Sequence, residues 1–112
     1  MIKRKSGTIV NIASLAAKNF VKNNSIYVAS KFALRGFANS LMLEVREHGI
    51  RMITVFPGSV NTELIASSPT APLPEYMLQP EDVAHAVYAA VTVHPRAMIS
   101  EIDIRPSNPK RA

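Results

Sequence analysis

The chain has 112 residues, enough for one small domain, and its 47% apolar and 19% charged side chains are those of a folding sequence rather than a disordered one. The net charge of +5 sits at the ends: Lys3, Arg4, Lys5, Lys110 and Arg111 account for it, while residues 6 to 109 hold eight basic and eight acidic side chains. A neutral body argues against nucleic-acid binding, which needs a basic face, and the lack of cysteine excludes disulfides, thiolate metal sites and a cysteine nucleophile.

At the N-terminus Lys3-Arg4-Lys5 followed by Thr8 to Ala13 imitates a secretion signal, but the run is short and Asn11 interrupts it. Thr8-Ile9-Val10-Asn11-Ile12-Ala13 reads instead as a strand, rich in β-branched residues and buried on both faces as in a parallel sheet. No apolar run approaches the roughly 20 residues that span a bilayer. The expectation is a cytoplasmic protein with neither a membrane nor a nucleic acid as partner.

After Ser14 a polar connection leads to Asn24 and Ser25, either of which can cap a helix. That helix is predicted over 26 to 48, with an apolar face of Ala33, Phe37, Leu41 and Val45 widened by Leu34, Ala38 and Met42. Tyr27, Lys31, Arg35 and Asn39 form a polar stripe beside it, and Gly36 suggests a close neighbour. Gly49 ends the helix and Arg51 to Phe56 forms a second strand, which makes a parallel βαβ unit. Residues 59 to 79 read as irregular because Pro69, Pro72 and Pro74 break regular structure. Pro80, Glu81 and Asp82 open another helix whose buried face is Val83, Ala84, Val87, Tyr88 and Val91. Met98 to Ile104 alternates as an outer strand with one exposed face.

Residues four apart on a helix lie about 5 to 6 Å from each other, so Tyr27 and Lys31 are neighbours. A free phenol has a pKa of about 10 and acts as an acid or base near neutrality only where its anion is stabilised, as an adjacent ammonium would do. Ser14, at the end of the preceding strand, can donate a hydrogen bond to a substrate oxygen while Tyr27 protonates it. The trio suits carbonyl reduction or its reverse. Against this stands the bland reading: tyrosine and lysine so spaced are common on helices, and His48, His85 and His94 are too scattered for a metal site.

Tyr27-Val28-Ala29-Ser30-Lys31 with Ser14 in Asn11-Ile12-Ala13-Ser14, the turn Pro57-Gly58-Ser59-Val60-Asn61-Thr62 and the closing Glu101-Ile102-Asp103-Ile104-Arg105-Pro106 together resemble the short-chain dehydrogenases/reductases, over nearly the whole chain. The resemblance implies an α/β fold: the C-terminal part of a Rossmann-like, doubly wound parallel sheet with three strands and two main helices, as one partial domain over 1 to 112. It implies an oxidoreductase using NAD or NADP on a small alcohol or carbonyl substrate. Tyr27 would be the acid/base, Ser14 would orient the carbonyl, and Lys31 would hold the nicotinamide ribose. Pro57, Gly58, Val60 and Thr62 would seat the nicotinamide, and the 59 to 79 region would form the substrate loop. The 26 to 48 helix would pair copies into a homo-oligomer.

The glycine-rich phosphate turn that such proteins carry is missing, since Gly7, Gly36, Gly49 and Gly58 stand apart. The expectation is therefore a truncated chain resembling the second half of a family member, with Met1 to Gly7 resembling the tail of an internal helix. If both crossovers are right-handed and advance the same way, both helices lie on one face, although the family can place its last helix on the other. The first strand is left with an apolar edge. The alternative function is a noncatalytic remnant or interaction module that pairs with another chain.

Overall fold

Three parallel strands, β1 (Gly7–Ile12), β2 (Ile50–Pro57) and β3 (Glu101–Ile104), form one sheet in the order β1-β2-β3 in the computed structural model, which describes residues 1–110. Arg111, part of the C-terminal basic cluster, lies outside the described residues. Pairing runs from Gly7 opposite Ile50 to Ile12 opposite Val55, and from Thr54 opposite Glu101 to Pro57 opposite Ile104. The long helix α1 (Ser25–Val45) joins β1 to β2; the short α2 (Glu63–Ala66) and then α3 (Pro80–Val91) lie between β2 and β3.

Alternation of side chains along β2 assigns the faces. Ile53 and Val55 pack with Ala90 of α3, joined by Val83, Val87 and Val91 from the same helix and by Val10, Ile102 and Ile104 from the outer strands. On the other face Phe56 lies under Lys18 and under Arg35 of α1, with the cations 4.3 and 5.7 Å from the ring centroid. The two helices therefore cover opposite faces, which corrects the one-sided arrangement expected from two right-handed crossovers. Because both connections step the same way across the sheet, they have opposite hands, and one belongs to the rare left-handed class.

Burial follows from that sandwich. Every β2 residue except Arg51 is buried, and Arg51 spends its guanidinium on the carbonyls of Val91 (2.9 Å), the last residue of α3, and Val93 (3.4 Å) just beyond it. β1 is only half-buried and Ile12 is 52% exposed, so it is not the doubly covered strand its composition predicts. Asn11, which breaks the apolar run, reaches toward β2 and donates to Met52 Sδ (3.1 Å) and Thr54 Oγ1 (3.4 Å).

The buried residues of α1 are Val28, Ala38 and Val45, while Phe37 is 62% exposed and Ala33 is exposed. The helix is thus rotated relative to the predicted face: it turns Arg35, from the predicted polar stripe, toward the sheet, and β3 carboxylates receive it. Nothing stands within 4 Å of a Cβ built on Gly36, so the close neighbour expected there is absent among the described residues. Asn24 occupies the N-cap position without a side-chain cap bond. After a 3-10 turn over Arg46–His48, Gly49 takes a left-handed φ of 74° and stops the helix as expected.

In α3 Pro80 fills the first turn and Gln79 N–H donates to Asp82 Oδ2 at 2.7 Å, whereas Ala84 and Tyr88, both predicted to be buried, are exposed. β3 is shorter than predicted; of its outward-reading residues, Glu101 is half-buried against Arg35 and Lys18, while Asp103 is exposed as predicted and pairs with Lys18. The 59 to 79 region is not structureless: besides α2 it holds a 3-10 turn at Pro74–Tyr76 and an isolated parallel bridge between Val60 and Leu78. Residues 2 to 5 form a turn, not the end of a helix.

Candidate active site

β1 delivers Ser14 and β2 delivers the Pro57-Gly58 turn to the same end of the sheet, the carboxyl end, where open α/β sheets bind ligands. The ladder is still closed at Ala13, whose N–H donates to Val55 O at 2.8 Å. Ser14 is extended (φ −161°, ψ 154°) and caps a 3-10 turn at Leu15–Ala17, its Oγ accepting from Ala16 N at 3.1 Å. Buried Ala16 and Ala17 anchor that turn. The serine hydroxyl uses its acceptor side for the cap and keeps its proton to donate.

Tyr27 stands in the first turn of α1 and is 46% exposed, with its carbonyl accepting from Ser30 Oγ at 2.7 Å. One turn on, Lys31 Nζ lies 5.4 Å from the Tyr27 ring centroid, as helical spacing requires. Gly58 N–H donates to Ile104 O at 2.7 Å and ties the turn to β3. A Cβ there would stand 3.1 Å from Pro106 Cδ, so the close approach of the next segment favours glycine.

These elements enclose an open cavity of about 470 Å³ lined by Ser14, Tyr27, Pro57 and Gly58 together with residues of the 59 to 79 region. The structure thus gathers four of the seven residues singled out from sequence. Lys31 flanks Tyr27 without lining the cavity, Val60 is held by its bridge to Leu78, and Thr62 is exposed at the start of α2. Sequence reasoning missed Asn24, read only as a cap, and did not separate Leu64, Ile65, Ser68 and Ala71 from the rest of the loop; all line the cavity.

It also missed an ionic cluster under the site. Arg35 donates twice to Glu101, Nε at 2.8 Å and Nη2 at 3.0 Å, and Lys18 Nζ pairs with Asp103 at 2.8 Å and with Glu101 at 3.7 Å. The Arg35 hydrogen bonds, with help from Lys18, hold the Glu101 carboxyl below the usual carboxylate range, and the same bond raises Arg35. Opposite charges on the stripe and on the last strand were the only signal for this pairing.

The donor set fits the nicotinamide-ribose end of a dinucleotide: an ammonium beside a phenol, a donating serine and a glycine turn at one sheet end. Among the described residues nothing comparable serves a pyrophosphate. Gly7 and Gly49 lie at the opposite, amino end of the strands and Gly36 lies within α1, which leaves Gly58 alone near the cavity.

Comparison with known proteins bears on the family and the fold. The family model described as short chain dehydrogenase matches residues 1–72. An uncharacterized oxidoreductase of Staphylococcus aureus is 32% identical over 106 residues, covering 95% of this chain and 45% of the relative. Among solved structures, a betaketoacyl-[ACP] reductase from Bacteroides thetaiotaomicron superposes with a TM-score of 0.79 at 33% identity, over 96% of this chain and 43% of that one. A metagenomic short-chain oxidoreductase in complex with NADP gives 0.72 at 34% identity, over 96% and 42%. The chain spans less than half the length of these relatives.

Proposed function

The chain belongs to the short-chain dehydrogenase family, and from that premise we propose that residues 1 to 112, as a single Rossmann-like unit, carry the catalytic segment of an NAD- or NADP-dependent oxidoreductase acting on a small alcohol or carbonyl compound. The observation that carries the reading is the meeting of Ser14 and Tyr27 on one cavity, with Lys31 beside the phenol.

In the reducing direction Tyr27 Oη gives its proton to the carbonyl oxygen while Ser14 Oγ–H donates to the same oxygen, so that the charge developing there is met by two donors. The Lys31 ammonium, 5.4 Å from the centre of that ring, would meet the phenolate that remains and hold the ribose. Pro57, Gly58, Val60 and Thr62 would seat the nicotinamide, which supplies the hydride when bound. The exposed Ile26 and Phe37, on one side of α1, offer apolar surface for pairing two copies. A cysteine-free sequence suits the cytoplasm, and among the described residues no helix is long and apolar enough to cross a membrane.

One observation favours the second reading, a noncatalytic module that pairs with another chain: no glycine cluster stands ready for a pyrophosphate. Titrating the purified chain with NADPH and NADH separates the two. Binding is expected, with loss in Lys31→Ala, and Tyr27→Phe is expected to bind cofactor while lowering carbonyl reduction about 10²- to 10⁴-fold. No binding at about millimolar cofactor, which allows no affinity beyond roughly 4 kcal/mol, would sink catalysis by this chain on its own.

A further inference from the structure

We propose that the cavity beside Ser14 and Tyr27 selects uncharged substrates, a ketone or secondary alcohol bearing short aliphatic groups, and rejects the corresponding acids; the inference rests on the hydride-transfer reading above. Among the described residues, none that lines the cavity carries a charge. The hydroxyls of Ser14 and Tyr27 mark one part of the lining, and Leu15, Val21, Leu64 and Ile65 supply much of the apolar remainder. The other polar contributors, Asn24, Ser59 and Ser68 among them, are neutral.

Of the charged side chains near the cavity in sequence, two are engaged elsewhere, and Lys22, between Val21 and Asn24, is exposed and outside the lining. Lys18 points to Asp103 at 2.8 Å and over the Phe56 ring, and Arg35 is spent on Glu101; neither lines the cavity. Glu63 precedes Leu64 on α2 but is exposed and outside the lining. Lys31 flanks Tyr27, and under the proposed function the ribose takes it. A carboxylate seated among these groups would give up hydration without gaining a counter-ion, whereas a hydroxyl or carbonyl finds donors and acceptors. Size agrees, since about 470 Å³ lies in the range of small-molecule sites, and Leu64, 80% exposed, has apolar surface to cover.

The test needs no turnover. Three ligands of matched skeleton, 2-hexanone, 5-oxohexanoate and methyl 5-oxohexanoate, are titrated into the full 112-residue chain while the methyl resonances of Ala16, Leu64, Ile65 and Ala71 are followed by NMR. The ketone and the ester are expected to shift these methyls, with the acid binding about tenfold or more weakly, a gap of at least about 1.4 kcal/mol. Acid binding equal to or tighter than the ketone, or ketone shifts confined to methyls elsewhere, overturns the proposal. Loss of nicotinamide binding defeats the hydride-transfer reading, whereas parity of acid and ketone defeats this one.

Discussion

Glu101 shows how one side chain ties the site together. Its carboxylate takes a two-pronged bond from Arg35, two turns along α1 from Tyr27, and a weaker approach from Lys18, which follows the Ser14 turn. The serine-bearing segment and the tyrosine-bearing helix are thereby fastened to the same strand. The pair keeps 35% and 26% of its side-chain surface, so solvent limits its contribution to about 1 kcal/mol despite good geometry. Because folding lowers the Glu101 pKa, the stabilisation is present above the ordinary carboxylate value of about 4.3 and is lost as pH falls through the lower folded value. Glu101→Gln is therefore expected to cost about 1 kcal/mol at pH 7 in urea denaturation and to match the parent chain in acid well below pH 4. A deficit that stayed constant down that range would show that the charge is not what matters. The chemistry-bearing residues were legible in the sequence because Tyr27 and Lys31 are local partners on one helix. Arg35 with Glu101 was not legible, since a pair so distant in sequence depends on which face α1 presents.

At the scale of the element, α1 shows the limit of reading periodicity. Its apolar residues are spread widely enough around the helix to support several faces, and the sheet accepts the one through Val28, Ala38 and Val45. Small Ala38, fully buried, sits where the helix comes close to its neighbours, while Phe37 next to it points away. Ala38→Leu is accordingly expected to destabilise by about 1 to 3 kcal/mol through overpacking, and Phe37→Gln to change stability by less than about 0.5 kcal/mol. Thermal melts at low protein concentration distinguish the two; a large loss in Phe37→Gln there would place that ring in the core after all. If copies pair through this face, the same Phe37→Gln change also lowers the mass seen in sedimentation at high concentration. The strands, by contrast, were read to within a residue or so for β1 and β2, because β-branched runs bounded by glycine and proline leave little choice.

At the scale of the molecule the sheet is covered unevenly. The radius of gyration of 15.6 Å exceeds the roughly 13 Å expected of a compact chain of this length, and the extents are 50 × 28 × 19 Å. The central strand has neighbours on every side, whereas β1 has β2 on one side and an open edge on the other. Since Ala13 donates inward to Val55, alternation along the strand turns the backbone groups of Thr8, Val10 and Ile12 toward that edge. Their side chains share the α3 face with Val55, but α3 does not reach Ile12, which keeps half its surface. An apolar strand with an unpaired edge is a template for another strand. Sequence alone foresaw the exposed edge but not the face it leaves bare, because that depends on the hand of the second crossover. Hydrogen exchange resolves whether anything occupies the edge: at low concentration the amides of Thr8, Val10 and Ile12 are expected to exchange far faster than those of Ile53 to Phe56. Protection of the three that rises with protein concentration would mean that copies of the chain pair through β1. Protection equal to that of β2 at every concentration would contradict the open edge, and with it the uneven covering of the sheet.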